Sequence, residues 1–217
     1  MPRQNGHPQD NCPIPDPGWA SAVAAHKDRT RARILAAAAD LVSVRGAADL
    51  AMTTLARRSQ IARATLYNYF PSAERVLEAL VETEVATFLS ELDHRLAATA
   101  DPAERLNQST AALVGWVAGQ SAQGPAPARR PRSSYSPDIA SIHRPLAGIE
   151  NRIEEIIRAA RAAAALPPRT DPALAARFVV ALVLGIRWQL GGPGSDHVAA
   201  SLQAFLLAGL GVAQPGH

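Results

Sequence analysis

The sequence predicts an all-α protein, on three observations. Alanine, the strongest helix former, makes up about a fifth of the 217 residues, while aromatics are only 5%. Apolar residues recur at helical spacing, and no stretch shows the alternation or the Val/Ile/Thr-rich runs that strands need. Helix punctuation is also present: Ser72 and the Asp-Pro pairs at 101–102 and 171–172 suit helix starts, and Gly46 and Gly191-Gly192-Pro193 suit stops.

Taken in order, residues 1–26, with Pro2, Pro8, Pro13, Pro15 and Pro17, read as a disordered tail with room for a short helix from Trp19. A first helix covers 27–45, its stripe formed by Ile34, Leu35, Ala38, Leu41 and Val42. Two short helices follow, 53–59 and 63–70, and Pro71 ends the second. From Ser72 a long helix carries Val76, Leu77, Leu80, Val81, Phe88, Leu89, Leu92 and Leu96. A helix from Pro102 to about Gln123 precedes a Pro/Arg/Ser-rich loop at 124–137. Stretches at 138–143 and 145–165, a helix from Pro172 to about Leu190, and one from Asp196 to Leu210 complete about nine helices.

Several function classes are disfavoured. Cys12 stands alone, which excludes a disulfide framework and a cysteine metal cluster and fits a reducing cytoplasm. The start shows no secretory signal, and the longest apolar run, 178–186, is bracketed by Arg177 and Arg187 and too short for a membrane. The six histidines lack paired metal-ligand spacing, and no Gly-x-Ser-x-Gly, phosphate loop or dinucleotide turn occurs. The expectation is therefore no enzyme, no metal and no cofactor.

Charge is concentrated. Residues 27–80 hold Lys27, Arg29, Arg31, Arg33, Arg45, Arg57, Arg58, Arg63 and Arg75 against Asp28, Asp40, Asp49, Glu74 and Glu78, a net +4. The first 26 residues are −1, the remainder sums to zero, and the whole chain is +3. A cationic N-terminal third on a neutral body suits a phosphate-bearing partner.

Two short helices joined by a tight turn after a longer one read as a helix-turn-helix unit. At 100° per residue Leu66 and Phe70 fall together and face inward, while Ala64 and Asn68 lie opposite. Arg63 with Tyr67, and Thr65 with Tyr69, flank them. Such a face suits a groove: Arg can read guanine, Asn can read adenine, and Thr and Tyr hydroxyls can donate to phosphates.

The stretch 51–77, AMTTLARRSQIARATLYNYFPSAERVL, resembles the DNA-binding domain of the TetR/AcrR family of transcriptional regulators. Leu55-Ala56, Ser59-Gln60-Ile61 and the run Ala64-Thr65-Leu66-Tyr67-Asn68-Tyr69-Phe70-Pro71-Ser72 carry the resemblance, together with Val76-Leu77 and the first helix. It implies a DNA-binding domain at 27–77 and a helical ligand-binding and dimerisation domain at 78–217. It also implies a homodimer on a near-palindromic double-stranded operator, most often a repressor, answering an unknown small-molecule effector and acting on the bacterial nucleoid. By position, Thr53, Arg63 and Ala64 fall nearest the base edges. Thr65, Tyr67 and Tyr69 become phosphate and sugar contacts, with Asn68 able to serve either role. The sequence departs from the family at Ala51 (usually Thr), Gln60 (Gly), Ala62 (Ser) and Ala73 (Lys). The first and third remove helix caps worth roughly 1 kcal/mol each. The alternative is a helical dimeric interaction protein that has lost specific DNA binding.

Leu174, Phe178, Leu182 and Ile186 form one stripe of the penultimate helix, and the last helix is apolar around most of its circumference, with Leu202, Phe205 and Leu206. Paired with symmetry mates, the two would form a four-helix bundle, so these residues are the expected dimer contacts. Trp116, His143, Arg187 and Trp188, polar or aromatic groups on Ala/Leu-rich helices, are the candidates to orient a ligand in an apolar cavity.

Overall fold

A computed structural model describes residues 17–45, 47–119, 139–185 and 195–212. They form α1 (Pro17–Arg45), a 3₁₀ turn (Ala47–Asp49), α2 (Met52–Ser59), α3 (Arg63–Tyr69), α4 (Ala73–Leu96), α5 (Pro102–Val117), α6 (Ile139–Ala162), α7 (Pro172–Gly185) and α8 (Ser195–Leu210). The fold is all-α, with eight α-helices and no strand among the described residues. Gly46, the loop 124–137 and Gly191-Gly192-Pro193 lie outside them.

Three expectations about elements are corrected. α1 begins at Pro17 instead of residue 27, so the last ten residues assigned to a tail are helical, and proline suits the first turn because its missing N–H has no partner there anyway. The two stretches at 138–143 and 145–165 are one helix, α6, which runs through Pro145. Proline's fixed φ is helical and only one backbone hydrogen bond is lost, while the stripe Leu146, Ile149, Ile153, Ile156, Ile157 and Ala160 holds the helix to the core. That merger accounts for eight helices where about nine were expected. α5 also stops early, at Val117, followed by Gly119 at φ +75°.

Helix starts follow their capping chemistry. Asp101 accepts from the backbone N–H groups of Ala103 and Glu104, at 3.3 and 3.2 Å, with Pro102 in the first turn. Asp171 does the same for Ala173 and Leu174, ahead of Pro172. At the far end of α4, Arg105 donates to the carbonyls of Leu96 and Thr99 at 2.8 and 3.0 Å, tying that terminus to α5.

Two apolar cores are distinct. The first gathers Ile34, Ala38 and Val42 of α1, Leu55 of α2, Leu66 and Phe70 of the α3 region, and Val76, Ala79 and Leu80 of α4. The second begins at Val81 of α4 and takes in Val85, Phe88, Leu92 and Leu96 with the inner faces of α5 to α8. α4 therefore belongs to both, and its 24 residues make a rod of about 36 Å. α6 lies close along the second half of α4. A Cβ at Gly148 would stand 3.3 Å from Leu89, and Arg152 pairs with Asp93 at 2.6 Å.

Candidate nucleic-acid interface

The turn between α2 and α3 is built by backbone bonds. Ile61 N–H donates to Ala56 carbonyl at 3.1 Å and Gln60 N–H to Arg57 carbonyl at 3.3 Å, with Gln60 between them at φ 55°, ψ 40°. This is a Schellman closure, whose left-handed residue is usually glycine. Buried Ser59 donates its hydroxyl to Leu55 carbonyl at 2.7 Å, so no polar group is stranded beneath the turn. α2 and α3 start on Ala51 and Ala62, both extended in ψ and neither supplying a side-chain cap. Ser72 does cap α4, accepting from Arg75 N–H at 3.4 Å. Its hydroxyl also hydrogen-bonds the Glu74 carboxyl, which together with Glu74's own backbone N–H holds that group below the ordinary carboxylate range.

α3 is pinned by two side chains. Leu66 is fully buried and Phe70, which follows the helix, is 2% exposed. The opposite side faces out: Arg63, Ala64, Thr65 and Asn68 are exposed, as is Tyr67. Thr53, near the start of α2, is exposed as well. Arg63, Thr65, Tyr67, Asn68 and Thr53 make no hydrogen bond or ion pair through their side chains with another described residue. Tyr69 differs, being half-buried against the N-terminal core. Of the seven residues placed at the groove by sequence, six are exposed and the seventh, Tyr69, is half-buried.

The surrounding cations are not equivalent. Arg58 pairs with Asp40 of α1 at 2.9 Å, an exposed contact worth little. Arg75 is engaged by Glu78. Arg31 of α1 sets its guanidinium 4.9 Å above the Phe70 ring. The two residues stand far apart in sequence, and no local pattern announces the pairing.

Of the sequence-based candidates for a ligand site, Trp116 alone has a described side chain. Trp116 is half-buried and its ring meets Phe88 at 5.1 Å, inclined by 31°, so it packs against the second core. His143 lies on α6, with its side chain outside the description, and Arg187 and Trp188 lie outside the described residues. Two shallow concavities occur among the described residues. They lie on the N-terminal domain, between α1 and α2, around Leu41, Val44, Arg57 and Arg58. No three His, Cys, Asp or Glu groups lie together as a metal set, and no helix is long and apolar enough to cross a membrane, among the described residues.

On the C-terminal helices, Leu174, Phe178 and Leu182 of α7 and Phe205 of α8 are exposed, Phe178 and Phe205 at 59% and 64%. Leu202 and Leu206 are corrections: both are buried in the protomer's own second core. α8 is apolar almost all round, and the arc with Leu202, Leu206 and Leu210 faces α5 and α7, leaving Phe205 outside. Ile186 lies outside the described residues.

A buried-anchor helix with an open polar face, held after a tight turn and joined by α4 to a separate helical body, forms a helix-turn-helix unit. Residues 34–80 match the family described as "Bacterial regulatory proteins, tetR family". The chain is 36% identical over 85 residues to an uncharacterized HTH-type transcriptional regulator of Mycobacterium tuberculosis, in two strains. That match covers 39% of this chain and 42% of the relative, so it spans less than half of the relative's length. Among solved structures, RolR in complex with resorcinol superposes with a TM-score of 0.65 at 22% identity, over 87% of this chain and 91% of that one. AibR in complex with isovaleryl coenzyme A and operator DNA superposes at 0.54 and 20% identity, over 81% and 97%. The fold is thus shared along most of the chain, and within it residues 34–80 resemble the N-terminal domain of the tetR family.

Proposed function

We propose that this chain is a ligand-responsive repressor that binds a near-palindromic double-stranded operator as a homodimer, with α3 in the major groove. The observation that carries the reading is the α3 surface: Leu66 and Phe70 fix the helix from within, while Arg63, Ala64, Thr65, Tyr67 and Asn68 stand open among the described residues. Arg63 and Asn68 are the base readers, with Ala64 small enough to let the backbone approach and Thr53 beside them on α2. Thr65 and Tyr67 hold phosphates, and Tyr69 contributes its outer edge.

A helix of seven residues reads few base pairs, so two heads related by a two-fold axis are needed, about 34–36 Å apart. Residues 27–77 serve as the reading head, and 78–217 as the sensor and dimerisation body. The exposed stripe Leu174, Phe178, Leu182 with Phe205 is the dimer surface, a large apolar face otherwise left in water. The neighbours bound to resorcinol and to an acyl coenzyme A support a small organic effector. Because α4 is built into both cores, an effector that favours another tilt of α4 changes the separation of the heads. Couplings of this kind are typically about 1–3 kcal/mol. On this reading the protein works in the bacterial cytoplasm, on the nucleoid when bound, and has no reaction to catalyse and no cofactor to hold.

The uncapped starts of α2 and α3 favour a second reading, a dimeric interaction protein without specific DNA binding. Selection of DNA from a random pool separates the two. A two-half-site motif supports the repressor, and recovery of no motif at low salt supports the second reading.

A further inference from the structure

α1 outruns its core. From Gly18 to Arg29 every residue is exposed except Val23, which is half-buried, and the first buried residue is Thr30. About 18 Å of helix thus projects past the domain. On a 100° wheel Lys27 and Arg31 lie about 40° apart, on the same line that carries Ile34, Ala38 and Val42 into the core. Arg29 and Arg33 point to the opposite side of the helix. The core-facing line therefore leaves the domain as a cationic edge, at the end where Arg31 lies over Phe70, the residue that closes α3. Neither Lys27 nor Arg31 has an acidic partner among the described residues. Stacking on an aromatic face orients a guanidinium while leaving the N–H donors at its rim free.

We infer that Lys27 and Arg31 form a phosphate clamp on the DNA backbone flanking the bases that α3 reads, with Arg31 held in place by Phe70. The clamp rests on the proposed operator binding and adds a sequence-independent contact to it, continuous with the α3 surface. Arg29 and Arg33, although equally charged and also exposed, face away and take no part.

The test uses the full chain, the DNA it selects from a random pool, and fluorescence anisotropy across a salt series. Lys27→Ala with Arg31→Gln should make the log–log salt dependence shallower by about two per bound protomer, one for each phosphate left without its cation. Binding should weaken on all sequences alike, with the preferred motif unchanged. Arg29→Ala with Arg33→Gln should leave the slope near that of the parent. Lys27→Ala alone, which leaves the Phe70 contact intact, should shift the slope by about one. An unchanged slope in the first variant, or an equal shift in the second, overturns the clamp. A lower Tm with an unchanged slope would make Arg31 a structural staple only. Absence of DNA binding by the parent at any salt would sink the operator reading and the clamp with it, whereas normal parental binding with an unmoved slope sinks the clamp alone.

Discussion

Ile61 donates its backbone N–H to the carbonyl of Ala56 at 3.1 Å, folding the chain across Gln60 and setting α3 against α2. Gln60 holds φ 55° to allow it, a conformation that costs a side-chain-bearing residue about 1 kcal/mol. Gln60→Gly should therefore raise stability by about 1 kcal/mol, a Tm rise of roughly 2–4 °C for a chain of this size. Calorimetry checks this, and a fall in Tm would mean the Gln60 side chain contributes more than its backbone costs.

Caps can be restored at the two alanine starts. Ala51→Thr and Ala62→Ser should each add roughly 0.5–1 kcal/mol, because both backbones already have the extended ψ that a cap needs. Denaturant midpoints should rise with unchanged m-values, and additively if the sites are independent.

Inside and outside of α3 should separate cleanly. Leu66→Ala should destabilise the domain by about 2–5 kcal/mol, since Leu66 is fully buried. Arg63→Ala should leave Tm unchanged but weaken operator binding by about 1–3 kcal/mol and relax preference at particular bases. A uniform loss over all sequences would make Arg63 a phosphate contact instead.

Much of this was legible from sequence, and the reasons differ by element. The Leu66/Phe70 pair, four apart on a short helix whose other side is polar, admits one inward face, and the Asp-Pro starts carry cap chemistry in two adjacent residues. α8 has no comparable contrast: Leu202, Phe205 and Leu206 are all apolar, so periodicity cannot choose which arc meets the protomer's own core. Pro145 reads locally as a break and is overridden by the stripe that follows it. Arg31 over Phe70 is tertiary, with no local signal.

The α7/α8 surface yields a paired test. Phe178→Glu and Phe205→Glu, both at exposed positions, should yield folded monomers by sedimentation, with helical content retained. Leu206→Ala, by contrast, should cost about 2–5 kcal/mol in the protomer itself. Persisting dimers in both glutamate variants would place the interface elsewhere.

Acid sensitivity at the start of α4 has a definite sign. The Ser72 hydroxyl, followed by Glu74's own N–H, lowers the Glu74 carboxyl relative to the unfolded chain. Its stabilising contribution is present above the unfolded carboxyl pKa and is lost as pH falls through the lower folded value. Ser72→Ala should move the Glu74 titration, followed by carboxyl-carbon NMR, upward toward the ordinary range. No movement would mean Ser72 does not set it.

The central claim is that the open side of α3 reads DNA. Sequencing the fragments enriched from a random pool by the parent chain and by Arg63→Ala tests it most directly. The parent should select an inverted repeat with half-sites one helical turn apart, and the variant should selectively lose preference at one symmetric pair of positions. Enrichment of no motif, or the same motif undiminished at every position in Arg63→Ala, would contradict it.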